Sequence, residues 1–137
     1  MSFLLDTNLI SELRKGPRCD RSVREWYEPI PKEDFFLSVL TLGEIQRGIE
    51  ICRLKDVSRA QIYERWLHGL ESEYRERILP VTDKIGHLWG KLSVRQQLPI
   101  IDGLLAATAM HHGLTLATRN AADVRRSGVD YFNPFIG

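Results

Sequence analysis

The chain has 137 residues, 43% hydrophobic and 27% charged, with 19 basic and 18 acidic side chains and a net charge of +1. That is one ordinary domain's worth of chain, enough to bury a core without disulfides or a structural metal, and the profile excludes disorder. No apolar run approaches the roughly 20 residues of a membrane helix, and the stretch Phe3 to Leu5 is too short for a signal peptide, so a cytoplasmic protein is expected.

Phe3 to Leu5 reads as a short buried strand that ends at Asp6, and Asn8 to Lys15 as a short helix stopped by Gly16 and Pro17. A charged loop containing proline leads to a second strand, Phe35 to Leu40. Thr41 and Glu44 have the spacing of a capping box, and Ile45, Ile49 and Cys52 follow on one helical face. Ser58 to Arg75 is expected to be a longer helix with the stripe Ile62, Trp66, Leu70 and Tyr74. Ile78 to Val81 is a third strand weakened by Pro80, and Ile85, Leu88, Trp89 and Leu92 mark a further helix. Pro99 precedes a helix from about Ile101 to His112, ended by Gly113. Leu114 to Thr118 is a strand, Asn120 to Arg126 a short helix, and Tyr131 and Phe132 a last strand. Strands alternating with helices imply an α/β fold around a mainly parallel sheet.

Two cysteines, Cys19 and Cys52, lack CxxC spacing, and four histidines lack HExxH spacing. A zinc ribbon, a disulfide framework and a zinc hydrolase are therefore disfavoured. Four acids draw attention by position instead. Asp6 closes the first strand; Glu44, Asp102 and Asp123 each open a helix. Singly, each has a plain explanation as a capping or dipole-matched residue. Jointly they would lie beyond the carboxyl ends of parallel strands, where open α/β sheets bind ligands. Like charges about 4 Å apart repel by roughly 4 kcal/mol at an effective dielectric near 20. Such a cluster calls for a cation with a taste for oxygen, Mg²⁺ or Mn²⁺.

The segments F-L-L-D-T-N-L-I-S-E-L-R-K (3–15), S-V-L-T-L-G-E-I-Q-R-G-I-E (38–50), D-G-L-L-A-A-T-A-M-H-H-G-L-T-L-A-T-R-N-A-A-D (102–123) and F-N-P-F (132–135) together resemble the PIN-domain ribonucleases. Within them the chain is similar to toxins of bacterial toxin–antitoxin pairs, of the VapC, FitB and StbB type. The resemblance implies a three-layer PIN-like domain over residues 1–137, with a central mainly parallel sheet flanked by helices. It implies a metal-dependent endoribonuclease (a hydrolase using Mg²⁺ or Mn²⁺), an RNA substrate, an inhibitory antitoxin partner, a homodimer and no membrane. The family's acids fall on Asp6, Glu44, Asp102 and Asp123, with Asp6 and Asp102 as the most direct metal ligands. Thr118 and Asn120 match its polar positions and would position water. Val124 departs from the family, where an aromatic often follows the last acid; that concerns packing.

The near-zero net charge gives no case for bulk nucleic-acid affinity, so RNA binding would fall to local arginines, of which there are 14 against 5 lysines. Arg119 is the candidate beside the site, and Arg14, Lys15 and Arg47 are candidate rim contacts. For each, the plain alternative is a solvated charge, and Arg47 could pair with Glu44 or Glu50. Trp26, Trp66 and Trp89 read as core or interface residues, and His111 and His112 as capping cations or surface groups. Two other functions compete. An aspartate-dependent phosphotransferase or phosphatase also places an acid after its first strand, but Asp6-Thr7-Asn8 lacks the D-x-D pattern and no lysine follows the late strands. A non-catalytic binding module with the same fold would be expected to have lost a carboxylate, and all four are present.

Overall fold

The computed structural model describes residues 1–94 and 97–136. At its centre is β1 (Phe3–Leu5), three residues buried on both sides. It pairs in parallel with β2 (Phe35–Ser38) and β4 (Thr115–Ala117). Outside these lie β3 (Ile78–Leu79), parallel to β2, and β5 (Tyr131–Phe132), parallel to β4. The described residues thus form one parallel sheet in the order β3-β2-β1-β4-β5. Parallel neighbours cannot be joined by a tight hairpin; each needs a crossover, and here helices fill the crossovers and cover both faces.

The strand period of two divides the core. Phe3 and Leu5 point to one face, with Phe35 and Leu37. There they meet Leu9 and Ile10 of α1 (Thr7–Leu13) and Val23 of α2 (Arg21–Tyr27). The same layer holds Ile45 and Ile49 of α3 (Val39–Arg53) and Ala60, Leu67 and Leu70 of α4 (Val57–Glu73). Leu4 and Leu116 point the other way, onto Leu105, Ala106 and Ala109 of α6 (Ile100–His112) and Val124 of α7 (Ala121–Val124). α5 (Asp83–Ser93) packs along α6. The result is the three-layer α/β arrangement expected. Among the described residues no helix is long and apolar enough to cross a membrane.

Several local expectations are corrected. β2 stops at Ser38, and Ser38 caps α3 by accepting a hydrogen bond from the Leu40 amide at 3.0 Å. Thr41 and Glu44 therefore form no capping box; Thr41 is buried inside the first turn and its hydroxyl finds no partner among the described residues. α4 turns its face one step from the expected stripe. Ala60, Leu67, Leu70 and Tyr74 are buried while Ile62 is 56% exposed, and the helix starts one residue earlier than expected, capped by Asp56. α2 forms in the stretch before the charged loop and carries Trp26 against the core. A 3₁₀ turn, Gly16–Arg18, follows α1, and another, Arg125–Ser127, completes α7. β3 ends before Pro80, which has no amide to give to the ladder. At the far end of α6, Gly113 adopts φ +66° and closes the helix as expected.

The tryptophans pack. Trp26 sits edge-on to both Phe3 and Phe35, and Trp66 lies beneath the Arg14 guanidinium. His111 and His112 are exposed surface groups at the end of α6, and partial desolvation, with His111 beside it, lowers the pKa of His112.

Candidate active site

The parallel strands end together, so their first residues beyond the ladder share one edge. Asp6, Ser38, Thr41 and Thr118 are all buried there or in the turn that follows. The Asp6 amide still donates to the Ala117 carbonyl at 3.0 Å, so Asp6 and Thr118 emerge side by side. The Asp6 carboxylate is held on both oxygens. One accepts the Thr7 amide at 2.7 Å, which makes Asp6 the cap of α1. The other accepts the Thr118 hydroxyl at 2.7 Å and the Asn8 side-chain amide at 3.3 Å. Thr118 has its proton free for this because its own oxygen accepts from the Asn120 amide at 3.0 Å.

Glu44 stands in the second turn of α3, one turn further in than expected, and accepts a short hydrogen bond from the Thr7 hydroxyl. Thr7 thereby ties Glu44 to the residue next to Asp6. Asp102 is the third residue of α6 and Asp123 the third of α7, each in the first turn. The Asp102 carboxyl is pushed up to about 6, first by burial and then by the negative charges of Asp6, Asp123 and Glu44. The four acids, spread over 118 positions of the chain, are thus brought within electrostatic reach of one another. Among the described residues none of them has an ion pair. Three stand at helix N-termini, whose dipoles favour negative charge and offset part of the repulsion.

That donor set suits a hard divalent cation: carboxylate oxygens, excess negative charge and no basic partner. The carboxylates are not drawn into a ligand cage, however. Among the described residues no three His, Cys, Asp or Glu side chains are grouped closely enough to hold one ion. The two observations agree physically. Charge repulsion acts over many ångströms, whereas a bond from Mg²⁺ to oxygen is only roughly 2 Å long.

Asn120 occupies the position before α7 but makes no side-chain cap bond, so the capping explanation of that segment fails. Arg119 is exposed beside Thr118. Its amide donates to the Asn8 side-chain oxygen at 3.2 Å, and its carbonyl accepts from the Asn133 side chain at 3.3 Å. Arg14 lies at the far end of α1 from Asp6, its guanidinium 4.6 Å from the Tyr63 ring centre, in a groove lined also by Tyr27, Trp66 and Tyr74. Lys15 is engaged by Glu12 at 3.0 Å. Arg47 is exposed, and its expected partner Glu50 is taken by Arg53 and Gln46. Sequence reasoning passed over Thr7 and Asn8 as partners of the acids and over Asn133 and Phe135 as partners of Arg119. The only signal for the first pair was the unbroken polar tripeptide Asp6-Thr7-Asn8.

The model of the PIN domain family matches residues 3–126. The toxin FitB of Neisseria gonorrhoeae is 30% identical over 97% of this chain and 98% of its own length. A VapC ribonuclease of Sinorhizobium fredii is 30% identical over 97% of each chain. A crystal structure of FitAcB from Neisseria gonorrhoeae superposes with a TM-score of 0.86 at 29% identity, covering 98% of this chain and 99% of the other.

Proposed function

Because the chain belongs to the PIN domain family, we propose that it is a metal-dependent endoribonuclease, the toxin of a toxin–antitoxin pair, held inactive by its antitoxin. Curated relatives named as a toxin and as a ribonuclease align with it from end to end, which supports that reading. The observation that carries it is the convergence of Asp6, Glu44 and Asp123 on the half-buried Asp102, with no ion pair to any of the four among the described residues.

The reaction is hydrolysis of an RNA phosphodiester. A bound Mg²⁺ or Mn²⁺ would lower the pKa of the attacking water and stabilise charge on the phosphoryl oxygens. Asp6 and Asp102 would hold it directly, and Glu44 and Asp123 would complete the set. Thr118 and Asn8 aim the Asp6 carboxylate through their hydrogen bonds, as partners behind a metal ligand commonly do. Thr7 does the same for Glu44. Asn120, beside Thr118, would orient water, and Arg119 would meet a phosphate at the rim. Arg14 and Arg47 remain candidate RNA contacts, with Arg14 better placed for something seated in the Tyr27–Trp66 groove. Residues 1–137 act as a single domain, and the protein works in the cytoplasm as a homodimer.

The test is cleavage of a labelled RNA pool with Mg²⁺ or Mn²⁺. Wild type should cut, and Asp6→Asn should reduce cutting at least about a hundredfold, the scale of losing a metal ligand or its orientation, with an unchanged circular dichroism spectrum. Undiminished cutting by Asp6→Asn ends the assignment.

A further inference from the structure

The last residues of the chain do more than close the sheet. After β5 the chain turns at Asn133, whose side-chain oxygen accepts the Phe135 amide at 2.9 Å. The side-chain nitrogen of Asn133 donates to the Arg119 carbonyl, and the Phe135 ring lies 4.5 Å from the Arg119 guanidinium carbon. Phe135 is half-buried and also packs against the core layer of α1–α4. Arg119 is therefore gripped at three points: its amide by Asn8, its carbonyl by Asn133 and its guanidinium by the face of Phe135. Asn8 and Thr118, on either side of that grip, are the two side chains that hold the same Asp6 oxygen.

An exposed arginine ordinarily samples many rotamers, and ordering it on a ligand costs conformational entropy. A cation resting on an aromatic face has lost part of that freedom beforehand. Its planar guanidinium keeps edge N–H groups for a phosphate, which a stacked arginine presents well. We infer that Asn133 and Phe135 are positioning residues for RNA binding: they hold Arg119 as a preset cation at the rim of the carboxylate cluster, where it contacts a backbone phosphate. The inference rests on the ribonuclease reading for its ligand. The grip itself acts on binding and requires no cleavage.

The test has a binding arm and a cleavage arm. In the first, the full-length protein in EDTA is titrated against a fluorescein-labelled mixed-sequence single-stranded RNA at several salt concentrations. Arg119→Ala should weaken binding and lower the slope of log affinity against log salt by about 0.7, the value of one phosphate contact on a single strand. Phe135→Leu and Asn133→Ala should each weaken binding by about two- to fivefold, the size of an exposed cation–π contact. Phe135→Tyr, which keeps the ring, should bind as wild type. Adding Phe135→Leu to Arg119→Ala should change nothing further. In the cleavage arm, Phe135→Leu should raise KM by the same factor and leave kcat within about twofold. Unchanged or tighter binding by Phe135→Leu overturns the inference. So does an equal loss in the Arg119→Ala background, or a fall in kcat and melting temperature with KM unmoved, which is what a merely structural role predicts. A wild type that does not bind RNA sinks it as well. A wild type that binds and never cuts sinks the ribonuclease reading, while the binding arm still judges the grip.

Discussion

At Asp102 a carboxyl with an ordinary pKa of 3.8 holds its proton up to about 6. The folded state therefore binds a proton that the unfolded chain has already released between those two values. Its stabilising effect is complete below about pH 4 and is lost as pH rises through about 6. In metal-free protein at pH 7 the ionised Asp102 is a burden on the fold. Asp102→Asn should raise the metal-free melting temperature at pH 7 by a few degrees and flatten its decline between pH 4 and 7, while abolishing cleavage. An equal or lower melting temperature would show that the carboxylates do not repel. Thr41 illustrates the opposite case, a residue whose sequence context misleads. Its spacing from Glu44 matches a capping box, but Ser38 reaches the α3 amides first, since β2 ends there. The sequence contains both candidate caps, and only the end of the strand pairing selects between them.

α5 and α6 show how an element's position depends on a missing atom. Gly103, next to Asp102 in the first turn of α6, lets the Trp89 indole of α5 come close; an added Cβ would lie 3.0 Å from two indole ring atoms. Gly103→Ala gains about 1 kcal/mol of helix propensity and meets an overpacking cost of roughly 1–3 kcal/mol. A net loss of about 1 kcal/mol is expected in urea unfolding, with a drop in cleavage because the turn carrying Asp102 must shift. Gly90→Ala on α5, with no atom near its Cβ position, should instead stabilise by about 0.5–1 kcal/mol. If both variants gain stability, the close Trp89 contact does not set the α5–α6 spacing. α4 carries a related lesson. Its stripe was legible as helical, yet its phase was not. Ile62, Trp66, Leu70 and Tyr74 and the true face share Leu70 and Tyr74, and the neighbour across the core, α3, chose Ala60 and Leu67 over Ile62.

For the whole molecule the governing fact is that β1, β2 and β4 run parallel and end at one level. Asp6, just after β1, and Asp123, at the start of the helix after β4, then share one edge, and Glu44 of α3 and Asp102 of α6 come within electrostatic reach of them, whatever their distance in the chain. Saturating Mn²⁺ or Mg²⁺ should raise the melting temperature at pH 7, since a ligand that binds only the native state stabilises it, by about 2.7 kcal/mol at a hundred times its Kd. The rise should shrink at pH 5, where protonated Asp102 competes with the metal. Absence of any rise, together with absence of cleavage, would favour a binding module that keeps the fold.

Much of this was readable along the chain: the alternation of strands and helices, the α6 boundaries between Pro99 and Gly113, and which four acids the fold brings within electrostatic reach of one another. These are local properties, set by periodicity, by proline's missing amide and by glycine's access to positive φ. The hydrogen bond from Thr7 to Glu44, the grip of Asn133 and Phe135 on Arg119, and the elevated Asp102 were not readable. Each joins residues many positions apart or depends on burial, and burial is a property of the packed layers. No spacing rule encodes which side chains the crossing helices bring within 3 Å of one another.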